Sequence, residues 1–317
     1  MVIIMSYDVI YDDFEIEELG VCEEWVYDIE VEDNHNFFAN DILVHNSFYI
    51  DMEKFIDHVP AMSTTSKVDY MDSIAKKLIE PKIKEIYQEM ADYIGVFENT
   101  MNMDREVISE SSFWLGAKAY AMLVHDLEGR RFDPPIMKIM GIKVVRSDTP
   151  ISAKGIMKQF IKKVLYSLPV GEFITGKKNS ILSWGADKLN KPSSVKVLDN
   201  YFNASGFSAS DQTLKGAPMA VKGAINYNWL LKEKGLTDKY PEIISGDKVF
   251  SLYLKSTNPY SFSEISFSDR LPVEFELDEY IDKLKMYETI IGKFFRDVLT
   301  SIGKDNVLSG YQDLDLF

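Results

Sequence analysis

The chain has 317 residues, 46% of them hydrophobic and 13% aromatic, enough to bury a sizeable core spread over two or three domains. It contains no run of about 18 apolar residues, the length a membrane-spanning helix needs, and the opening "MVIIM" lacks the basic flank and the length of a secretory signal. Cys22 is the sole cysteine, which excludes an internal disulfide and a thiolate metal cage, and the cytoplasm is the expected compartment.

The net charge of −15 is distributed unevenly. Residues 1–46 hold 13 Asp or Glu and no Lys or Arg, whereas the remaining 271 hold 37 acids and 35 bases. An acidic leader is therefore joined at residue 46 to a body of almost balanced charge. Within that body, Ser112 to Asn200 carries 15 bases against 7 acids, and such a stretch can follow a phosphate backbone.

In chain order, "MVIIMSYDVIY", "WVYDIEV" and "NFFANDILVHN" predict short strands, rich in β-branched and aromatic residues and broken by Asp, Glu and Asn. So short a β-rich segment exposes strand edges that need a partner. From Ser66 to Ile94, Met71, Ile74, Leu78, Ile83, Ile86, Tyr87, Met90 and Ile94 recur at steps of three and four, predicting an amphipathic helix that Pro81 kinks or divides. Residues 117–125 and 136–145 predict strands. Asp148 to Pro150 predict the start of a basic amphipathic helix. A last helix is expected from about Leu277 to Ile302, with Ile281, Leu284, Ile291, Phe294, Phe295, Val298 and Ile302 on its buried side.

The stretch "VYDIEVEDNHNFFANDILVHN" followed by Ser47 resembles the C-terminal blocks of inteins, the self-excising protein segments. The resemblance implies a catalytic set of Asp28, His35, His45, Asn46 and Ser47. An Asn side-chain amide can attack its own backbone carbonyl to give a succinimide, a reaction favoured by proximity, and Asn46 would so cut its bond to Ser47. An imidazole suits both proton donation to the leaving amine and polarisation of the carbonyl, the roles implied for His45 and His35. The Ser47 hydroxyl would first accept the upstream acyl group, oriented or activated by Asp28. Only 45 residues precede Asn46 and no N-terminal nucleophile block is among them, so the expectation is the C-terminal half of a split intein, an incomplete Hint fold working in trans.

From Ser47 onward the chain resembles the C-terminal part of family B DNA polymerases of the T-even phage type. "SFYID" is similar to the strand leaving the family's Tyr-x-Asp-Thr-Asp-Ser turn, with Ser47 as its last serine. The splice junction would then lie inside a polymerase active-site hairpin. The implied architecture is multidomain α+β: residues 1–46 an intein segment, 47–147 the distal palm, and 148–317 a mainly helical thumb with a clamp-binding tail.

Lys118-Ala119-Tyr120 matches the family's Lys-x-Tyr motif, which touches the primer terminus from the minor-groove side, where base-pair acceptors are nearly uniform. The further lysine often found just before that motif is Ala117 here. Glu106 in "MDREVIS" resembles a carboxylate near the metal site, with a surface salt bridge as the alternative. In "KIMGIKVVRSDTP" the resemblance implies that Arg146, with Asp148 and Thr149, binds the primer backbone; in "KGAPMAVKG", Lys215 and Lys222 are candidate phosphate contacts. The ending "YQDLDLF" resembles a tail that enters a sliding clamp, with Leu314, Leu316 and Phe317 as anchors.

The expected product is thus a DNA-directed DNA polymerase assembled with an N-terminal partner fragment. Its implied ligands are primer–template DNA, dNTP, a sliding clamp and Mg²⁺, the ions being held mainly by the partner's Asp residues. Two alternatives stay open: a non-covalent DNA-binding subunit with an inactive intein remnant, and a clipped piece of a contiguous intein-bearing chain.

Overall fold

A computed structural model describes residues 2–7, 36–39, 42–45, 48–52, 62–99, 101–195 and 217–304; for the strands before Tyr49 it describes the backbone alone. The chain divides into two compact units. The first comprises Met1–Ser112 and Met122–Lys138, the second Phe113–Ala121 and Ile139–Phe317.

In the first unit, strands β1 (Val2–Tyr7), β4 (Phe48–Asp51), β5 (Met103–Gly116), β6 (Ala119–Leu127) and β7 (Arg130–Met140) form one sheet in the order β4-β1-β5-β6-β7, the last three running on at one end into the second unit. The leader strand β1 thus finds its partners in the body. It pairs antiparallel with β4 from Val2↔Asp51 to Met5↔Phe48, and antiparallel with β5 from Val2↔Ser109 to Tyr7↔Met103. The register on β5 shifts between Ile4↔Val107 and Met5↔Arg105, so Glu106 is a bulge residue without a partner on β1. Strands β2 (Asn36–Ala39) and β3 (Ile42–His45) form a separate antiparallel pair, and "WVYDIEV" lies outside the described residues.

Helix α1 (Thr64–Ile74) begins where the Ser63 hydroxyl accepts a hydrogen bond from the Ser66 amide at 3.2 Å. A π-helical turn, Ala75–Ile79, joins it to α2 (Glu80–Ile94). The expected break is present, but it falls in the turn before Pro81, which sits in the first turn of α2 where its missing N–H costs nothing. Helix α2 ends at Gly95, whose φ of +71° is left-handed and whose N–H reaches the Ala91 carbonyl at 3.0 Å. The buried faces carry Val68, Met71, Ala75 and Tyr87 against Met52, Met103 and Ile108.

The sheet and α1 are tied by a buried charge. Arg105 is 6% exposed and donates to Asp72 Oδ1 at 2.9 Å and to Asp126. Arg131 adds a contact to Asp126 Oδ2 at 3.1 Å and one to Asp69 at 3.0 Å. Burial pushes the Asp72 carboxyl up, but the Lys76 ammonium and the Arg105 and Arg131 guanidinium groups outweigh it and hold the group below its ordinary 3.8. A depressed carboxyl stabilises the fold above its unfolded pKa, and that contribution is lost as pH falls through the lower folded value.

In the second unit, α3 (Ile151–Leu165), α4 (Gly171–Leu182) and α5 (Met219–Glu233) accompany a three-stranded antiparallel sheet ordered β10-β9-β8, from β8 (Lys191–Ser194), β9 (Lys248–Tyr253) and β10 (Glu264–Phe267). The sheet is an addition to the expected mainly helical thumb. Helix α5 lies so close on β10 that a Cβ on Gly223 would meet Ser266 Oγ at 2.2 Å. Phe160 of α3 packs on Phe295, ring centroids 4.3 Å apart.

The predicted strand 136–145 begins earlier, at Arg130, and stops at Met140, because Gly141 at φ +60° turns the chain. Strand 117–125 is displaced to 119–127 by the turn at Ala117 and Lys118. The last helix is shorter than expected: α6 (Lys283–Tyr287) leads through a π turn to α7 (Lys293–Ser301), since Ile281 is held in a β-bridge to Leu254. Leu284 is exposed, contrary to its expected place on the buried side, and Phe294, Phe295 and Val298 are buried.

Removing the Arg105 guanidinium takes the most buried cation from two carboxylates and leaves Asp126 to Arg131 and Asp72 to Lys76 and Arg131, and breaking such a network costs up to about 3–5 kcal/mol. Arg105→Ala should therefore lower the unfolding free energy read from urea denaturation by that amount. A change within about 0.5 kcal/mol, the range of ordinary surface substitutions, would show that the cluster contributes nothing.

Candidate nucleic-acid interface

The turn between β5 and β6 presents Lys118, exposed and held at φ +59°. A left-handed backbone costs a residue with a Cβ about 1–2 kcal/mol, and such outliers gather at functional sites. Close packing fixes this one: Gly141 leaves no room for a Cβ, which would stand 2.1 Å from the Lys118 carbonyl oxygen and 3.2 Å from Ala119 Cα. The turn of "AKAY" is thereby clamped by the glycine of "KIMGIKVV". Tyr120 is half-buried and engaged with neighbours.

Beyond Gly141, the chain makes a 3₁₀ turn, Lys143–Val145, before α3. Arg146 is exposed and forks onto Asp148, Nε to Oδ1 at 3.1 Å and Nη2 to Oδ2 at 3.3 Å. Thr149 points inward, its hydroxyl donating to the Lys143 carbonyl at 2.5 Å. Sequence reasoning missed Lys143 itself, whose Nζ donates to the Thr289 carbonyl at 2.5 Å. Burial depresses its pKa most, Lys191 depresses it further, Asp148 and Asp297 oppose, and Lys293 adds to the depression. Lys143, Lys191 and Lys293, from three separate elements, thus come together around Lys143. The one available signal was Lys143 lying three residues before Arg146; the other two come from residues 48 and 150 positions away.

Lys222 and Glu106 are engaged by other charges. Lys222 on α5 lies 3.5 Å from Glu264 Oε1. Glu106, in the first unit, accepts from Lys138 Nζ at 2.5 Å and lines a cleft of about 420 Å³ with Lys76, Glu80, Asp104, Arg105 and Glu128. His45 closes β3 opposite Asn36. Asp28, His35, Asn46, Ser47, Lys215, Leu314, Leu316 and Phe317 lie outside the described residues. Among the described residues no group of three or more His, Cys, Asp or Glu side chains is placed to hold a metal ion, and no helix is long and apolar enough to cross a membrane.

Replacing Lys118 by glycine relieves the backbone penalty, so Lys118→Gly should gain up to about 1 kcal/mol, read as a higher Tm. Gly141→Ala should lose stability through the clash with the turn. A Lys118→Gly variant no more stable than the parent would mean that the turn is unstrained.

No family model matches the chain. Over its C-terminal region it is homologous to DNA polymerases. It is 30% identical over 230 residues to the DNA-directed DNA polymerase of Escherichia phage RB69, a stretch that makes up 68% of this chain and 24% of that protein. It is 27% identical over 282 residues to the DNA-directed DNA polymerase of Enterobacteria phage T4, covering 82% of this chain and 30% of that protein. The chain therefore spans about a quarter to a third of the length of these relatives. A segment of 43 residues is 52% identical to part of the glutamine–fructose-6-phosphate aminotransferase of Methanocaldococcus jannaschii and covers 4% of it.

Proposed function

We propose that this chain is the C-terminal precursor of a two-piece DNA-directed DNA polymerase, joined to its upstream fragment by protein trans-splicing. The observation that carries the polymerase part is the similarity to two phage DNA polymerases, one of them over 82% of the chain. The strained, glycine-clamped Lys118 turn supports it, because rigid presentation of a cation and a phenol suits contact with a primer end. Lys143, Lys191 and Lys293, with Arg146 released from Asp148, would meet backbone phosphates, contacts that position a duplex without reading its sequence. Lys215 and Lys222 belong to the same proposal, as does insertion of Leu314, Leu316 and Phe317 into a sliding clamp.

The splicing part is supported by the motif from Asp28 to Ser47 and by the charge boundary at residue 46. A segment of 43 residues shared with a protein of another stated activity is what a transposable segment leaves behind, and its length is close to that of the 46-residue leader. In the proposed sequence the Ser47 hydroxyl attacks the thioester or ester at the upstream junction and takes over the acyl group. The Asn46 side-chain nitrogen then attacks the Asn46 carbonyl carbon, the bond to the Ser47 nitrogen breaks, and His45 supplies the proton that the leaving amine takes. The freed amine attacks the ester to give the amide joining the two pieces.

Nucleotidyl transfer in polymerases draws on Mg²⁺ to activate the attacking and leaving oxygens. The described residues are poorly suited to holding such ions, because Glu106 is engaged by Lys138 and Glu80 accepts from the Arg105 amide at 3.2 Å. The ions would be held by residues of the upstream fragment, and this chain alone is expected to extend no primer.

The test is to mix the chain with an upstream polymerase fragment carrying the complementary intein half, then follow mass and primer extension. Asn46→Ala should abolish release of the leader, and Lys118→Ala in the joined enzyme should lower extension with splicing intact. Ligated product from Asn46→Ala at the parent rate would refute the splicing chemistry. Unchanged extension by Lys118→Ala would remove that residue from the primer grip.

A further inference from the structure

We propose that Asp148 is the resting occupant of the phosphate site at Arg146, a carboxylate of the chain itself that holds the guanidinium between contacts with DNA and competes with the DNA backbone for it. This rests on the polymerase reading above. The Arg146 side chain is 61% exposed and that of Asp148 33%, so both lie within reach of a ligand. They meet in a two-pronged pair, Nε to Oδ1 at 3.1 Å and Nη2 to Oδ2 at 3.3 Å. A phosphate presents the same two acceptor oxygens to a guanidinium, so one anion can take the place of the other.

The backbone on either side of the pair is fixed, while the pair itself is loose. The Lys143 carbonyl accepts from the Arg146 amide at 3.2 Å and from the Thr149 hydroxyl at 2.5 Å, so one carbonyl anchors the turn at Arg146 and again just after Asp148. The Lys143 ammonium is held in turn by the Thr289 carbonyl. That carbonyl is open to a side chain because the Lys293 amide, at the end of the π turn Glu288–Gly292, donates one residue further back, to Glu288. The Arg146–Asp148 bonds, by contrast, are longer than the about 2.7–2.9 Å of a strong charge-assisted pair. A rigid turn thus presents a pair that is easily exchanged.

Asp148 is not a helix cap. An aspartate at the start of a helix ordinarily accepts from the amides of the first turn, but the N-cap of α3 is Pro150, with no side-chain bond to that turn, and both Asp148 oxygens go to Arg146. The carboxylate also stands in the field of further cations, since Lys191, Asp148, Asp297 and Lys293 all act on the Lys143 ammonium. An anion is therefore favoured at this place, and in the absence of DNA the chain supplies one. A polymerase has to release each phosphate as it advances, and a carboxylate poised to take back the guanidinium makes that release less costly.

Binding of a short primer–template duplex to the full chain, read by fluorescence anisotropy at fixed salt, tests this. Asp148→Asn keeps the shape and removes the competing charge, so it should bind about three- to tenfold more tightly, through slower dissociation, because an exposed ion pair and one nearby like charge are each worth only a few-fold. Arg146→Ala should bind more weakly. Adding Asp148→Asn to Arg146→Ala should gain less than about twofold, since the carboxylate acts through the guanidinium. An equal gain in both backgrounds would mean that any lost negative charge helps, and would overturn the proposal. Asp148→Asn binding no tighter than a parent that does bind duplex would also overturn it, and would leave the polymerase reading standing. No duplex binding by the parent or any variant would remove the phosphate role of Arg146 and this inference with it.

Discussion

Strands β4 and β5 point the same way with one strand between them, so the amides and carbonyls that face the gap can be satisfied only by a third segment running against both. The rest of the first unit depends on that filling. The sheet carries Arg105 on β5 toward Asp72 on α1. A strand borrowed from the leader fills the gap here. The leader that is proposed to leave is thus also the piece that completes the sheet.

The second unit obeys a different constraint, close contact of backbone with backbone. Gly223 lets α5 rest on β10, where Ser266 Oγ donates to the Ala220 carbonyl at 3.2 Å and lies 2.8 Å from Ser251 Oγ. Asn226 donates to the Glu264 carbonyl at 2.7 Å from the same helix. These polar contacts are buried between helix and sheet, a packing that fixes one register of helix on sheet. Gly141 acts likewise at the Lys118 turn, and in both places the missing Cβ sets how a side chain is presented.

Helical periodicity made α1, α2 and α3 legible, with the break near Pro81, because amphipathic spacing is local information. The turn at Lys118 and the bend at Gly141 both fell inside stretches expected to be strands, and their contact was hidden as well, since nothing in either stretch names the other. Strand patterns showed that residues 2–7 want a ladder and could not say whose. "KPSS" carries no strand signature, yet β9 recruits it into a sheet through backbone bonds alone. The pairing of Lys222 with Glu264 across 42 residues was equally hidden. Of the cation cluster, Arg146 was found through its motif, whereas Lys191 and Lys293 arrive by tertiary folding. The chemistry proposed for residues 28–47 comes from the resemblance of that stretch to the C-terminal blocks of inteins.

The central claim is that a covalent junction forms at Ser47 while residues 1–46 depart. Tandem mass spectrometry of the proteolysed mixture of the two pieces tests it most directly. The account predicts a peptide in which Ser47-Phe48-Tyr49 follows directly on upstream residues, together with a free leader ending in a succinimide or its hydrolysis product at Asn46. Finding only peptides that still read His45-Asn46-Ser47, in a mixture that nonetheless extends primers, would contradict it and leave a polymerase assembled without splicing.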